Sequence, residues 1–357
     1  MFKQLALSVA MVVGAAVGAA VAQEAPTFDQ VLAGAKEEGK LIVWGSSPNK
    51  PETYQALFDA FNKRFGLDIQ AEFLPINGAK ARPRIIAESA AGKVSVDIVM
   101  GESADGSMLL VQSGHIKPYP WQQVFGEKLG NIEASYFGVP ELDGAALTYL
   151  DGMSGIAWNT GLIADGDVPS TWGELADPKY QGQVGMNALL LTPLDQTAYV
   201  RGTAETLELA KKLLANKPRL ENGTPAVAMA VSAGTVPFGV SGYHHAMRAI
   251  NNGEPVKFKF FSDIIPHSPL CLYVVEKSSN PNTARLFSAW FVTEGLAIAA
   301  EHEPIPSLRN KDSDFAKAVS DHLAETGAKV SKPDSAKGIA DVMELRKELQ
   351  SLMTAAQ

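Results

Sequence analysis

The chain has 357 residues, a formal net charge of −8 and 46% hydrophobic residues. That length accommodates two cores, since domains commonly run about 100–200 residues. The acidic balance, without any Lys/Arg cluster, excludes nucleic acid and an anionic membrane surface as partners.

Met1-Phe2-Lys3, an uncharged apolar stretch from Leu5 to Val21, and Ala20-Val21-Ala22 before Gln23 predict a cleavable secretory signal peptide over residues 1–22. Beyond it, short strands alternate with amphipathic helices, the pattern of an α/β fold. Leu41–Trp44 reads as a strand, and Pro51 opens a helix on which Tyr54, Leu57, Phe58, Phe61 and Phe65 share one face until Gly66. Ile69, Ala71 and Phe73 alternate as a second strand, a helix runs through Arg84–Glu88, and Val96–Met100 is a third strand. Such a βαβαβ opening gives a mostly parallel sheet with ligand sites beyond the carboxyl ends of its strands. The loops Gly45-Ser46-Ser47 and Gly101-Glu102-Ser103 are therefore candidate ligand walls.

Leu147–Leu150 and Ser154–Asn159 read as two strands, Gln183–Met186 as another, and Thr203–Leu214 as an amphipathic helix. Val236–Val240 is a strand that runs into Ser241-Gly242-Tyr243-His244-His245. The strand pattern resumes at Leu270–Val275, where Cys271, the only cysteine, reads as a buried strand residue rather than a reactive thiol. Helices follow over Ala284–Phe291 and in the tail from Asp334. The expected organisation is a first lobe of residues 23–145 plus 262–312 and a second of residues 146–261 plus 313–357, joined by close double connections and a hinge.

Four segments together resemble the bacterial extracellular solute-binding proteins, in the branch that includes ferric-iron and polyamine binders. They are Glu88 with Val96-Asp97-Ile98-Val99; Gly155–Thr160 with Pro169-Ser170-Thr171-Trp172-Gly173-Glu174-Leu175 and Asp177-Pro178-Lys179-Tyr180; Gly234-Thr235-Val236-Pro237; and Asn280–Phe287 with Thr293-Glu294-Gly295. The resemblance implies a type II periplasmic-binding-protein fold, two α/β lobes with the ligand in the cleft between them. It also implies a monomer in the periplasm that closes on a small-molecule or metal ligand and presents it to an ABC permease in the inner membrane.

The same resemblance nominates ligand residues. Ferric-binding members place a carboxylate just after the third strand, where this chain has Glu102, and two adjacent tyrosines where it has Tyr243-His244-His245. Glu102, Tyr243 and His244 are thus the implied metal ligands, with Fe(III) as transported cargo and no resident cofactor. Two departures stand beside this: only one tyrosine is present, and the family's early histidine is replaced by Ser46-Ser47-Pro48. The alternative cargo is a small organic anion or phosphonate, met by the hydroxyls and backbone N–H groups at Ser46, Ser47 and Thr192, features that equally describe helix caps. A polyamine would need several carboxylates, of which Glu102 and Asp105 are the nominees. Tyr243→Phe or Glu102→Ala is expected to weaken binding and leave unfolding of the ligand-free protein nearly unchanged.

A secreted hydrolase is the competing class. Gly101-Glu102-Ser103-Ala104-Asp105 begins like a nucleophile elbow but lacks the closing glycine, and neither an H-E-x-x-H motif nor a Cys/His cluster occurs. Binding without catalysis is the expectation.

Overall fold

The computed structural model describes residues 24–355, so the expected signal peptide lies outside the described residues. Helix α1 (Phe28–Glu38) begins at a capping box formed by Thr27 and Gln30 and stops at Gly39, whose φ of 62° suits a residue without Cβ. There follow β1 (Lys40–Trp44), α2 (Pro51–Phe65), β2 (Gln70–Leu74), α3 (Gly78–Ala90) and β3 (Ile98–Glu102). β1 pairs in parallel with both β2 and β3, as the opening pattern predicts. The buried Asp97 just before β3 locks this arrangement: its carboxylate accepts hydrogen bonds from Ile42 N, Ser278 Oγ and Asn280 Nδ2. The aspartate of the family-like strand is thus a cross-link between distant segments, with no exposed oxygen left over for a ligand.

Alternation along these strands sends side chains to two faces, and both are covered. Val43, Met100, Leu147 and Tyr149 pack with Tyr54, Leu57 and Phe61 of α2. Trp44, Val99, Cys271 and Tyr273 pack on the other face with Ile85 of α3 and Met108 of α4 (Ala104–Gln112). Helix α5 (Trp121–Leu129) joins the first of these cores.

β4 (Leu147–Asn159) is one unbroken strand of 13 residues where the sequence pattern suggests two. Its first half pairs antiparallel with β9 (Ile264–Val274), and its second half pairs with both β7 (Phe238–Gly242) and β8 (Val256–Phe260). The polar break at Asp151-Gly152 that reads as a strand end is the crossing between lobes. Glycine is required there: a Cβ at Gly152 would come 2.6 Å from the Ser268 carbonyl oxygen.

In the second lobe, β5 (Val184–Asn187) lies parallel between β7 and β6 (Arg219–Glu221). Its helices are α6 (Trp172–Leu175), α7 (Ala198–Arg201), α8 (Thr203–Ala215), α9 (Thr224–Ser232) and α10 (Tyr243–Asn251). The short α6 is held by a capping box of Thr171 and Glu174, and it drives Trp172 into the core, stacked on Phe261 with ring centroids 4.2 Å apart. Its indole N–H donates to the Ile264 carbonyl, so truncating Trp172 to alanine should cost about 3–5 kcal/mol.

After β9 returns the chain to the first lobe, α11 (Pro281–Trp290), a π-helical turn (Phe291–Gly295) and α12 (Leu296–His302) cover that lobe. The chain then crosses back through α13 (Asp314–Thr326) and β10 (Lys329–Ser331), which pairs with Ile264–Pro266 of β9. The last helix, α14 (Ala336–Ala355), belongs to both lobes. Ile339 packs into the first-lobe core, while Val342, Leu345, Leu349 and Met353 pack into the second. No helix among the described residues is long and apolar enough to cross a membrane.

Candidate functional site

The carboxyl ends of β3 in one lobe and β5 in the other open onto the gap between the lobes, and parallel pairing puts those of β1 and β7 on the same sides. A cavity of about 300 Å³ lies there, with Ser103, Ala104 and Asp105 on one wall and Leu189, Leu190, Thr192, Gln196 and Tyr199 on the other. Ser268 and Pro269 of the crossing strand β9 line its floor. The wall loop after β5 is shaped by Asn187, whose side-chain oxygen accepts from the N–H groups of Leu189 and Gly223 and so ties the ends of β5 and β6 together.

Thr192 sits in this cleft, ahead of a cis peptide bond to Pro193. Ser46 lies against the end of β3: a Cβ at Gly101, where φ is 84°, would come 2.5 Å from its Oγ. The Ser47 carbonyl accepts a hydrogen bond from the buried Tyr149 hydroxyl, so its backbone is anchored to a crossing strand.

Glu102 is only 1% exposed. Its Oε1 lies 2.6 Å from Arg82 Nη1 of α3 and accepts from Ser103 N and Oγ, while Oε2 has no hydrogen-bond partner. Gly78 and Gly106 leave the room for it: a Cβ at either would meet the carboxylate. Burial raises the Glu102 carboxyl above its ordinary range, and Arg82 opposes that shift. Asp105, the other nominated carboxylate, is 3.0 Å from Arg346 of α14.

Tyr243 opens α10 but its ring packs among Phe258, Phe260 and Phe315. His244 and His245 follow with ring centroids 3.8 Å apart, and the Nδ1 of each is buried without a partner. Burial, helped by Arg248, lowers the His244 pKa to about 4. Burial and the neighbouring His244 and Arg248 lower that of His245 to about 3, so both rings are neutral at pH 7. His245 also lines a shallow depression of about 200 Å³ with Met229 and Arg248, between α9 and α10. No hydrogen bond or ion pair among the described residues joins Glu102 to Tyr243 or His244. Nor does any group of three or more His, Cys, Asp and Glu side chains among them form a metal-holding cluster.

Sequence reasoning missed Arg82, Asn187 and Arg346. Arg82 lies inside a helix, 20 residues before its partner, and Arg346 lies 151 residues after Asp195, separations at which no spacing rule operates.

Two α/β lobes joined by crossing strands, with strand ends facing one another over a cleft, define the class of two-lobe binding proteins. The chain belongs to the bacterial extracellular solute-binding protein family, whose model matches residues 56–305. No curated relative matches the chain by sequence. Among solved structures it is similar to iron-bound HitA from Pseudomonas aeruginosa, at 19% identity and a TM-score of 0.69 over 89% of this chain and 99% of that one. It is also similar to AfuA from Actinobacillus pleuropneumoniae with fructose-6-phosphate bound, at 16% identity and a TM-score of 0.65, covering 89% and 98% of the two chains. A third is PotD from Streptococcus pneumoniae, a spermidine/putrescine substrate-binding protein, at 16% identity and a TM-score of 0.60 over 88% and 99%.

Proposed function

We propose that the protein is the periplasmic substrate-binding component of an ABC importer, working as a monomer without catalysis, and that its cargo is a small anion bearing a carboxylate or phosphate group. The facing strand ends carry this reading. Helices α4, α9 and α10 all begin at these strand ends without a side-chain cap, which places the positive ends of three helix dipoles there, and the start of α4 lines the cavity itself. The carboxylates that a polyamine would need are already engaged, Glu102 by Arg82 and Asp105 by Arg346.

Ferric iron is the second reading. The neutral His244 beside Tyr243 at the start of α10 favours it, since neutral imidazole is the ligand form of histidine, while burial and Asp314 raise the Tyr243 phenol and oppose the phenolate that iron requires. The engagement of Glu102 argues for iron arriving with an anion rather than bare.

Closure follows from contacts made to both walls, because a ligand shifts the equilibrium only by its differential affinity for the closed form. The test is thermal unfolding of the mature protein with phosphate, phosphonates, small carboxylates, Fe(III)-citrate and polyamines, since a ligand of the native state raises the midpoint. A shift with anions is expected. A shift with polyamines alone overturns the anion reading, and a visible phenolate-to-iron band lost in Tyr243→Phe assigns iron.

A further inference from the structure

Between the crossing strands and the segment after α12 lies a larger cavity of about 580 Å³. It draws Asp151 from β4, His267 from β9, Arg309 and Lys311 from the segment after α12, and Lys332 from just beyond β10. Three cationic side chains thus face a single carboxylate in a protein whose net charge is −8.

That carboxylate is fully engaged. Asp151 Oδ1 accepts from His267 Nε2 at 2.8 Å, its Oδ2 accepts from Leu308 N at 2.6 Å, and its own N–H donates to the Pro306 carbonyl. Asp151 therefore pins the segment carrying Arg309 to the hinge, and its single charge leaves the three cations with an excess of positive charge. Arg309 Nη2 donates to the Asn131 carbonyl, whereas Nη1 is buried with no partner. His267 is 6% exposed, and its Nδ1 is likewise buried and unpartnered. Asp151 can only accept in this bond, so Nε2 carries the proton, and in that tautomer Nδ1 is the ring's acceptor. Buried polar atoms left unpaired are costly, and the site offers what a particular ligand would satisfy: a guanidinium N–H and two ammonium groups beside one acceptor nitrogen.

We infer that this hinge pocket is a second binding site, for a small anion that carries a hydroxyl group beside its carboxylate or phosphate. The anionic group pairs with Arg309, Lys332 and Lys311, and the hydroxyl donates to His267 Nδ1. The pocket shares only Pro269 with the strand-end cavity, and none of Ser46, Ser47, Glu102 and Thr192 lines it, so the inference stands apart from the cargo reading. Because Lys332 follows a strand paired to the lobe-crossing β9 and Arg309 is pinned to β4, an occupant ties together the segments that meet at the hinge.

Isothermal titration tests it with citrate as the probe and tricarballylate, the same tricarboxylate without the hydroxyl, as its control. Citrate is titrated into wild type, Arg309→Gln, Lys332→Gln and, for the strand-end cleft, Thr192→Val. Expected are binding to wild type and to Thr192→Val, a loss of about tenfold or more in each cation variant, and weaker binding of tricarballylate to wild type. Lys332 is exposed, so its variant keeps the fold even if Arg309→Gln does not. Absence of citrate binding, wild-type affinity in both cation variants, or a loss in Thr192→Val that the cation variants do not share would overturn the site. Equal binding of citrate and tricarballylate would overturn the role given to His267.

Discussion

Arg346 Nε lies 2.7 Å from Oδ2 of Asp195, a carboxylate with no exposed surface. The same guanidinium reaches Asp105 of α4 through Nη1 at 3.0 Å, so one side chain on the last helix holds both lobes. The two contacts differ in kind. Asp195 depends on Arg346 for its compensation, whereas Asp105 is 21% exposed and is partly served by water. Arg346→Ala should therefore cost about 3–5 kcal/mol of stability, by stranding a buried charge. Asp105→Asn should cost less than about 1 kcal/mol. Urea unfolding of the two variants measures both, and equal losses would contradict the assignment of the buried partner.

The Glu102–Arg82 pair makes a prediction opposite to that drawn from sequence. A carboxylate buried against Gly78 and Gly106 is part of the folded framework, so Glu102→Ala should lower the unfolding midpoint of the ligand-free protein. Arg82→Met should do so more strongly, by about 3–5 kcal/mol at pH 8. Burial already raises the Glu102 pKa, so in that variant the folded state takes up a proton before the unfolded state does. The loss should shrink as pH falls toward the ordinary carboxylate range; a loss independent of pH between 8 and 5 counts against this account.

His244 and His245 give acid sensitivity of defined sign. Their folded pKa values, about 4 and about 3, lie below the unfolded value near 6.5, so the unfolded chain binds more protons through the interval. Stability is full above about pH 6.5 and falls by up to about 1.4 kcal/mol per pH unit for each ring down to about pH 4. Replacing both histidines with glutamine should flatten the midpoint against pH over that interval, and a slope equal to that of wild type would refute the assignment.

Cys271 is fully buried, with Sγ 3.1 Å from Ser107 Oγ, and burial drives its thiol pKa upward. A thiol-specific reagent should leave the native protein untouched at pH 8 and label one cysteine after denaturation. Rapid labelling of the native protein would show that the β9 strand is accessible.

Much of the framework is legible from sequence because its elements have clean periodicity. The face Tyr54, Leu57, Phe58, Phe61 identifies α2, and the apolar runs at Leu41–Trp44 and Ile98–Met100 identify β1 and β3. The opening half of β9 is illegible because Pro266, Ser268 and Pro269 interrupt its apolar pattern, although the ladders to β10 and β4 continue through them. Helices α4 and α9 escape notice because one mixes Gly and Ser with Leu and the other is Ala- and Val-rich, so neither shows a polar face. At the site, strand-end loops are located by topology, which is how Ser46 and Thr192 come to be nominated. The partners that decide what Glu102 and Asp105 do are cations on helices remote in sequence, and only folding brings them near.

The strand β9 has a consequence for how the molecule is made. β3 pairs on one side with β1 and on the other with β9, and among the described residues β4 has no partner in the first lobe except β9. The amino-terminal half of the chain can therefore gather its helices and first three strands as it emerges, but its sheet keeps an open edge until residues 264–274 arrive. Because that one strand also runs through the hinge, the first lobe is sealed in the same event that fixes the second lobe beside it, and the two are expected to mature together rather than in turn.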